Sequence, residues 1–146
     1  MTRFPNGEGM YQILNPQLGG AAMGLTGADT GGRGVAVGLV GPDRNDYGQL
    51  WTVEVDDSTV HLTNQQTNTM LIMVGTGHEG DPVVCGGGEA YGAMPWSFDG
   101  DAEEESAVLV PGFNHALALA PAGPHYALAV VDNTRDGTQL WRFVRW

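Results

Sequence analysis

Gln49-Leu50-Trp51 and Gln139-Leu140-Trp141 are one tripeptide written twice, and Met94-Pro95-Trp96 stands midway between them. Each tryptophan lies 45 residues from the next. Two residues after each comes another apolar side chain: Val53, Phe98 and Phe143. An i, i+2 pair of this kind suits a strand with one buried face. A fixed period of this length marks a repeat architecture and takes precedence over local readings. Three copies fill the 146 residues, the last ending at the C-terminus.

The chain between the tryptophans reads as short strands and turns. Gly9 to Asn15 alternates as a first strand, and Pro16 ends it. Ala21–Leu25, Val35–Val40 and Leu50–Val55 follow, with the turn cluster Gly41 to Gly48 before the last. The second repeat offers Val60–Leu62, the polar loop Asn64 to Asn68, Met70–Val74, Pro82–Cys85 and the strand at Trp96. The acidic run Asp99 to Glu105 is expected to be a solvated loop. The third repeat offers Ala107–Val110, Ala116–Ala120, Tyr126–Val131 and Leu140–Val144. The Ala/Leu run at 116–120 is too short for a helix, because Pro121, Gly123 and Pro124 cut it off. About twelve strands at this spacing predict an all-β domain. The predicted repeats cover approximately 9–55, 58–99 and 106–146 within one domain spanning 1–146.

Three repeats of four strands make a β-trefoil, a six-stranded barrel capped by three hairpins. The Gln-x-Trp near the end of a repeat resembles the ricin-B-type trefoil family. Gly9-x-Tyr11-x-Ile13-x-Asn15 also resembles the start of fungal members of that family. The likeness covers nearly the whole chain, and repeat two departs from it at Met94. A hydrogen bond made by Gln49 and Gln139 should be missing there. The family contains lectins and protease inhibitors. The mycocypins and cocaprins are small fungal inhibitors of papain-like cysteine proteases, the cocaprins also of aspartic proteases. A 15.4 kDa chain with pI ≈ 4.4 and no disulfide resembles that group.

Composition narrows the partners. The net charge is −11, lysine is absent, and the six cations are scattered arginines. Nucleic acid and anionic lipid, which bind through cationic surfaces, are therefore not expected partners. Without lysine there is no Schiff-base chemistry. One cysteine, Cys85, excludes an intrachain disulfide. The N-terminal residues lack an apolar signal core, and no apolar run approaches membrane-spanning length. These features predict a cytoplasmic protein, or one exported without a conventional signal. They leave a homodimer open.

Several constellations are weaker than they look. The tryptophans are expected in the core, since aromatics bury large areas at fixed geometry. By the family resemblance, a sugar pocket would need an aspartate near the first hairpin of a repeat. The stretches Asn15–Leu25, Asn64–Val74 and Gly112–Ala120 contain no acid. Asp29-Thr30-Gly31 matches an aspartic-protease motif, but those enzymes need two aspartates sharing a proton, and no second copy occurs. His61, His78, His115 and His125 lack zinc spacing, and the acidic run lacks the calcium-loop pattern. Neither metal, cofactor nor catalytic residue is expected. The feature with functional promise is the loop containing Gly27, Ala28, Asp29, Thr30, Gly31, Gly32 and Arg33. Its small side chains suit entry into a narrow protease cleft. The resemblance therefore implies an inhibitor that blocks papain-like cysteine proteases, with aspartic proteases second, and a ricin-B-type lectin as the alternative. Ordering so many glycines weakens binding.

Overall fold

The computed structural model describes residues 8–27, 34–56, 59–74, 79–86, 96–101, 105–109, 117–121, 127–132, 134 and 137–146. Among the described residues there are twelve strands. The first repeat holds β1 (Gly9–Asn15), β2 (Ala21–Leu25), β3 (Val35–Val40) and β4 (Leu50–Asp56). The second holds β5 (Thr59–Asn64), β6 (Thr69–Met73), β7 (Val83–Cys85) and β8 (Ser97–Asp101). The third holds β9 (Glu105–Leu109), β10 (Leu117–Pro121), β11 (Leu128–Asp132) and β12 (Arg142–Arg145).

The first and last strands of each repeat close a six-stranded barrel. Antiparallel ladders join β12 to β1, β1 to β4, β4 to β5 and β8 to β9. At the β5–β8 seam, Val60 and Trp96 exchange backbone hydrogen bonds of 2.7 and 2.8 Å. β9 lies beside β12 and completes the ring. The middle strands pair as three hairpins, β2–β3, β6–β7 and β10–β11. These meet as a cap through Val35↔Cys85, Gly38↔Ala127 and Pro82↔Ala129. This is a β-trefoil.

The 45-residue period has a direct physical counterpart. Trp51, Trp96 and Trp141 are each 0% exposed. Each indole N–H donates to the carbonyl of the third residue in the first cap strand of its own repeat. The acceptors are Met23 at 2.9 Å, Leu71 at 3.0 Å and Leu119 at 3.0 Å. The tryptophan thus fills the barrel and ties the cap hairpin to it. Tyr11, Ile13, Leu62, Leu71, Val130 and Phe143 complete one continuous core.

Three expectations change. Asn64, expected in a polar loop, ends β5 and is fully buried, because its side chain finds internal partners. The acidic run is not all loop: Asp99 to Asp101 belong to β8 and Glu105 to β9, paired in register Asp101↔Glu105. Pairing between consecutive strands overrides the poor strand propensity of Asp and Gly. The first strand of the third repeat, β9, accordingly starts at Glu105. Other strand ends differ from the expected ones by a residue or two, as frayed ends do.

Candidate functional site

The Gln-x-Trp turn of the first repeat is held by a dense set of side-chain bonds. Asp43 Oδ1 accepts from the Asn45 amide at 2.9 Å. Asp46 Oδ1 caps a single 3-10 turn, Tyr47–Gln49, by accepting from the Gly48 amide at 2.9 Å. The Gln49 carboxamide spans the loop. Its Nε2 donates to the Gly41 carbonyl at 2.7 Å, and its Oε1 accepts from the Asp43 amide at 2.8 Å. Gln12 Nε2 reaches the same oxygen from β1 at 3.2 Å. Gln12, which alternation would place outside, is buried for this reason.

The next repeat clamps the turn from the other side. Asn64 Nδ2 donates to the Gly48 carbonyl at 2.9 Å, while its Oδ1 accepts from the Gln66 and Thr67 amides at 3.0 and 3.3 Å. Asn15 does the same for the third repeat. Its Nδ2 donates to the Thr138 carbonyl at 2.9 Å and its Oδ1 accepts from the Leu18 amide at 3.3 Å. Gln139 repeats the role of Gln49, bonding the Asp132 carbonyl and the Thr134 amide at 2.7 and 3.0 Å. Asn15 and Asn64 are therefore structural clasps between neighbouring repeats, spent on internal bonds. Met94 lies outside the described residues.

One side chain of the clamped turn faces solvent. Tyr47 is 62% exposed, while Gly48 and Gln49 are buried. Among the described residues its side chain has no hydrogen-bond or ring partner. Gly48 beside it has no room for a side chain. A Cβ there would stand 3.1 Å from both Asp46 Oδ1 and Gln66 Oε1, and 3.4 Å from Leu25 Cγ. The exposed Gln66 carboxamide thus lies over the Gly48 backbone. The positions 45 and 90 residues further on are Gly92 and Gly137. On the same surface, the Arg44 guanidinium lies 5.0 Å from the Trp146 ring centroid, a cation–π contact.

The residues following the three indole-bonded carbonyls are Gly24, Ile72 and Ala120, all buried. At Gly24 even a Cβ would come within 2.8 Å of Val40 Cγ2 and 3.0 Å of Gln49 Cγ. An aspartate cannot be accommodated there.

The predicted protease-binding loop is only bounded by the structure. β2 and β3 pair, and the Thr26 amide donates to the Ala36 carbonyl at 3.1 Å, so the segment is a hairpin connection. Gly27 has φ 76° and Gly34 φ 134°, both conformations that favour glycine. Ala28, Asp29, Thr30, Gly31, Gly32 and Arg33 lie outside the described residues, and the Asp29-Thr30-Gly31 motif lies there with them. Among the described residues no group of His, Cys, Asp and Glu is suited to hold a metal ion. His61 lies partly buried on β5, with Nδ1 shielded from solvent and unbonded. His78, His115 and His125 are outside the described residues.

Cys85 is fully buried at the end of β7. Burial pushes its thiol up to about 12. The reactive thiolate is thus suppressed at neutral pH. A thiol reagent should label Cys85 only after denaturant is added, and rapid labelling of the native protein would contradict this packing. The unfolded thiol ionises near ~8.5. Its contribution to stability is complete below that pH and declines as pH rises towards the folded value of about 12.

No protein-family model and no curated protein matches the sequence. Solved structures do. A ricin B-like lectin from Macrolepiota procera, solved with lactose, is 20% identical with a TM-score of 0.76, over 99% of this chain and 100% of that one. The Rhizoctonia solani agglutinin is 16% identical with a TM-score of 0.79, over 99% and 100%. A designed threefold-symmetric protein, ThreeFoil, is 16% identical with a TM-score of 0.75, over 94% and 99%. At these identities the likeness establishes the β-trefoil fold.

Proposed function

We propose that this chain is a non-catalytic carbohydrate-binding protein of the lectin type. The observation that supports it is the end-to-end likeness to fungal ricin B-like lectins, one of which was solved with lactose. Gly24, where a Cβ already collides with Val40 and Gln49, has no room for a sugar-binding aspartate. A glycan array with folded and heat-denatured protein tests the reading. Binding by the folded form alone supports it, and a blank array removes it.

Protease inhibition is the second reading. The observation that favours it is the paired hairpin that carries the small-residue segment from Gly27 to Gly34 between β2 and β3. Such a segment lets backbone approach a catalytic cysteine where a branched side chain would collide. Gly31→Glu should leave folding intact and raise the inhibition constant for papain at least tenfold, roughly 1.4 kcal/mol. An inhibition constant unchanged by the substitution removes the loop from that mechanism. Flat inhibition by the parent protein removes the reading itself.

A further inference from the structure

We infer that Tyr47 is the platform of a glycan subsite built between the first two repeats, and that the subsite takes a neutral pyranose rather than an anionic one. The inference rests on the carbohydrate-binding reading and assigns its site. A pyranose presents an apolar C–H face and a rim of hydroxyls. A binding surface for it needs an exposed aromatic face, polar groups at the ring's edge and a rigid support. A Tyr side chain combines apolar body and polar tip at low entropic cost.

The surface around Tyr47 meets these needs. The ring is 62% exposed, yet its backbone is fixed by the Asp46 cap, the Gln49 carboxamide and the Asn64 clasp. A group held this way needs little ordering when ligand arrives. The Gln66 carboxamide stands beside Gly48 and offers both a donor and an acceptor to hydroxyls. Leu25 also stands beside Gly48. The charge pattern selects the sugar. Asp43 and Asp46 lie on the same turn, and the protein carries a net charge of −11. The nearby cation, Arg44, lies over Trp146. A carboxylate-bearing sugar would meet like charge within a Debye length of ~8 Å, while a neutral hexose would not.

The test uses calorimetry or ligand-observed magnetic resonance with lactose, maltotriose, cellotriose, chitotriose and sialyllactose as probes. The parent protein should bind at least one neutral probe and bind sialyllactose at least tenfold more weakly. Tyr47→Ala should weaken the neutral probe at least tenfold with an unchanged melting temperature. Tyr47→Phe, which keeps the face and drops the hydroxyl, should stay within about threefold of the parent. Gln66→Ala should give an intermediate loss. Neutral binding that survives Tyr47→Ala overturns the subsite and leaves the lectin reading standing. Sialyllactose bound as tightly as lactose overturns the charge selection. A parent protein that binds none of the probes overturns the subsite together with the reading beneath it.

Discussion

Trp51→Ala is expected to lower the free energy of unfolding by about 3–5 kcal/mol, the range for deleting a buried large aromatic. The indole is 0% exposed and lies opposite Tyr11 and Asn64 in the barrel ladders. Its removal takes the largest kind of core side chain and leaves a cavity that the closed barrel cannot collapse around. It also strands the Met23 carbonyl, which loses its 2.9 Å donor inside the protein. An unmade buried hydrogen bond accounts for roughly 1–3 kcal/mol of such a loss. Trp51→Phe separates the two effects, keeping most of the volume and removing the N–H. Urea unfolding followed by far-ultraviolet circular dichroism measures both variants. Since domains of this kind have about 5–15 kcal/mol in total, the alanine variant will be marginal at best. A Trp51→Ala protein of parental stability would mean that the indole is not a core residue.

Gly34→Ala should be the most damaging of the glycine substitutions where the cap strands meet. Gly34 has φ 134°, and a Cβ there would stand 2.5 Å from the Cys85 carbonyl and 3.0 Å from Val84 Cγ2. The first obstacle is backbone, paired as Val35↔Cys85, so it cannot rotate aside. The conformational cost is about 1 kcal/mol and forced overpacking adds about 1–3 kcal/mol, which predicts a loss of about 2–4 kcal/mol. Gly27→Ala is the control. Gly27 has φ 76°, but nothing lies within 4 Å of its added Cβ, so only the conformational cost applies. Equal midpoints for the two variants in urea would show that the close approach of β3 to β7 does not limit what fits at Gly34.

The repeat, the strands and the core role of the tryptophans were legible from residue order alone. A period of 45 and an i, i+2 apolar pair are local properties of the chain, and a strand's inner face follows from alternation. The burial of Cys85 was legible too, since it ends an apolar run. Asn15, Asn64 and Gln12 were not. Each is polar and would be assigned to the surface, yet each is buried because its partner comes from a distant strand or the next repeat. The acidic residues at the ends of β8 and β9 were misread for the same reason: pairing with a neighbouring strand is worth more than local propensity. Tyr47 went unnoticed inside a turn cluster of Gly, Pro and Asp. A bulky aromatic where the other repeats have Gly92 and Gly137 was the one available signal. Sequence by itself determined the three-part, all-β plan, because that plan is encoded in periodicity. Only the tertiary structure decided which polar side chains are clasps and which face outward, because those assignments depend on hydrogen bonds between residues far apart in the chain.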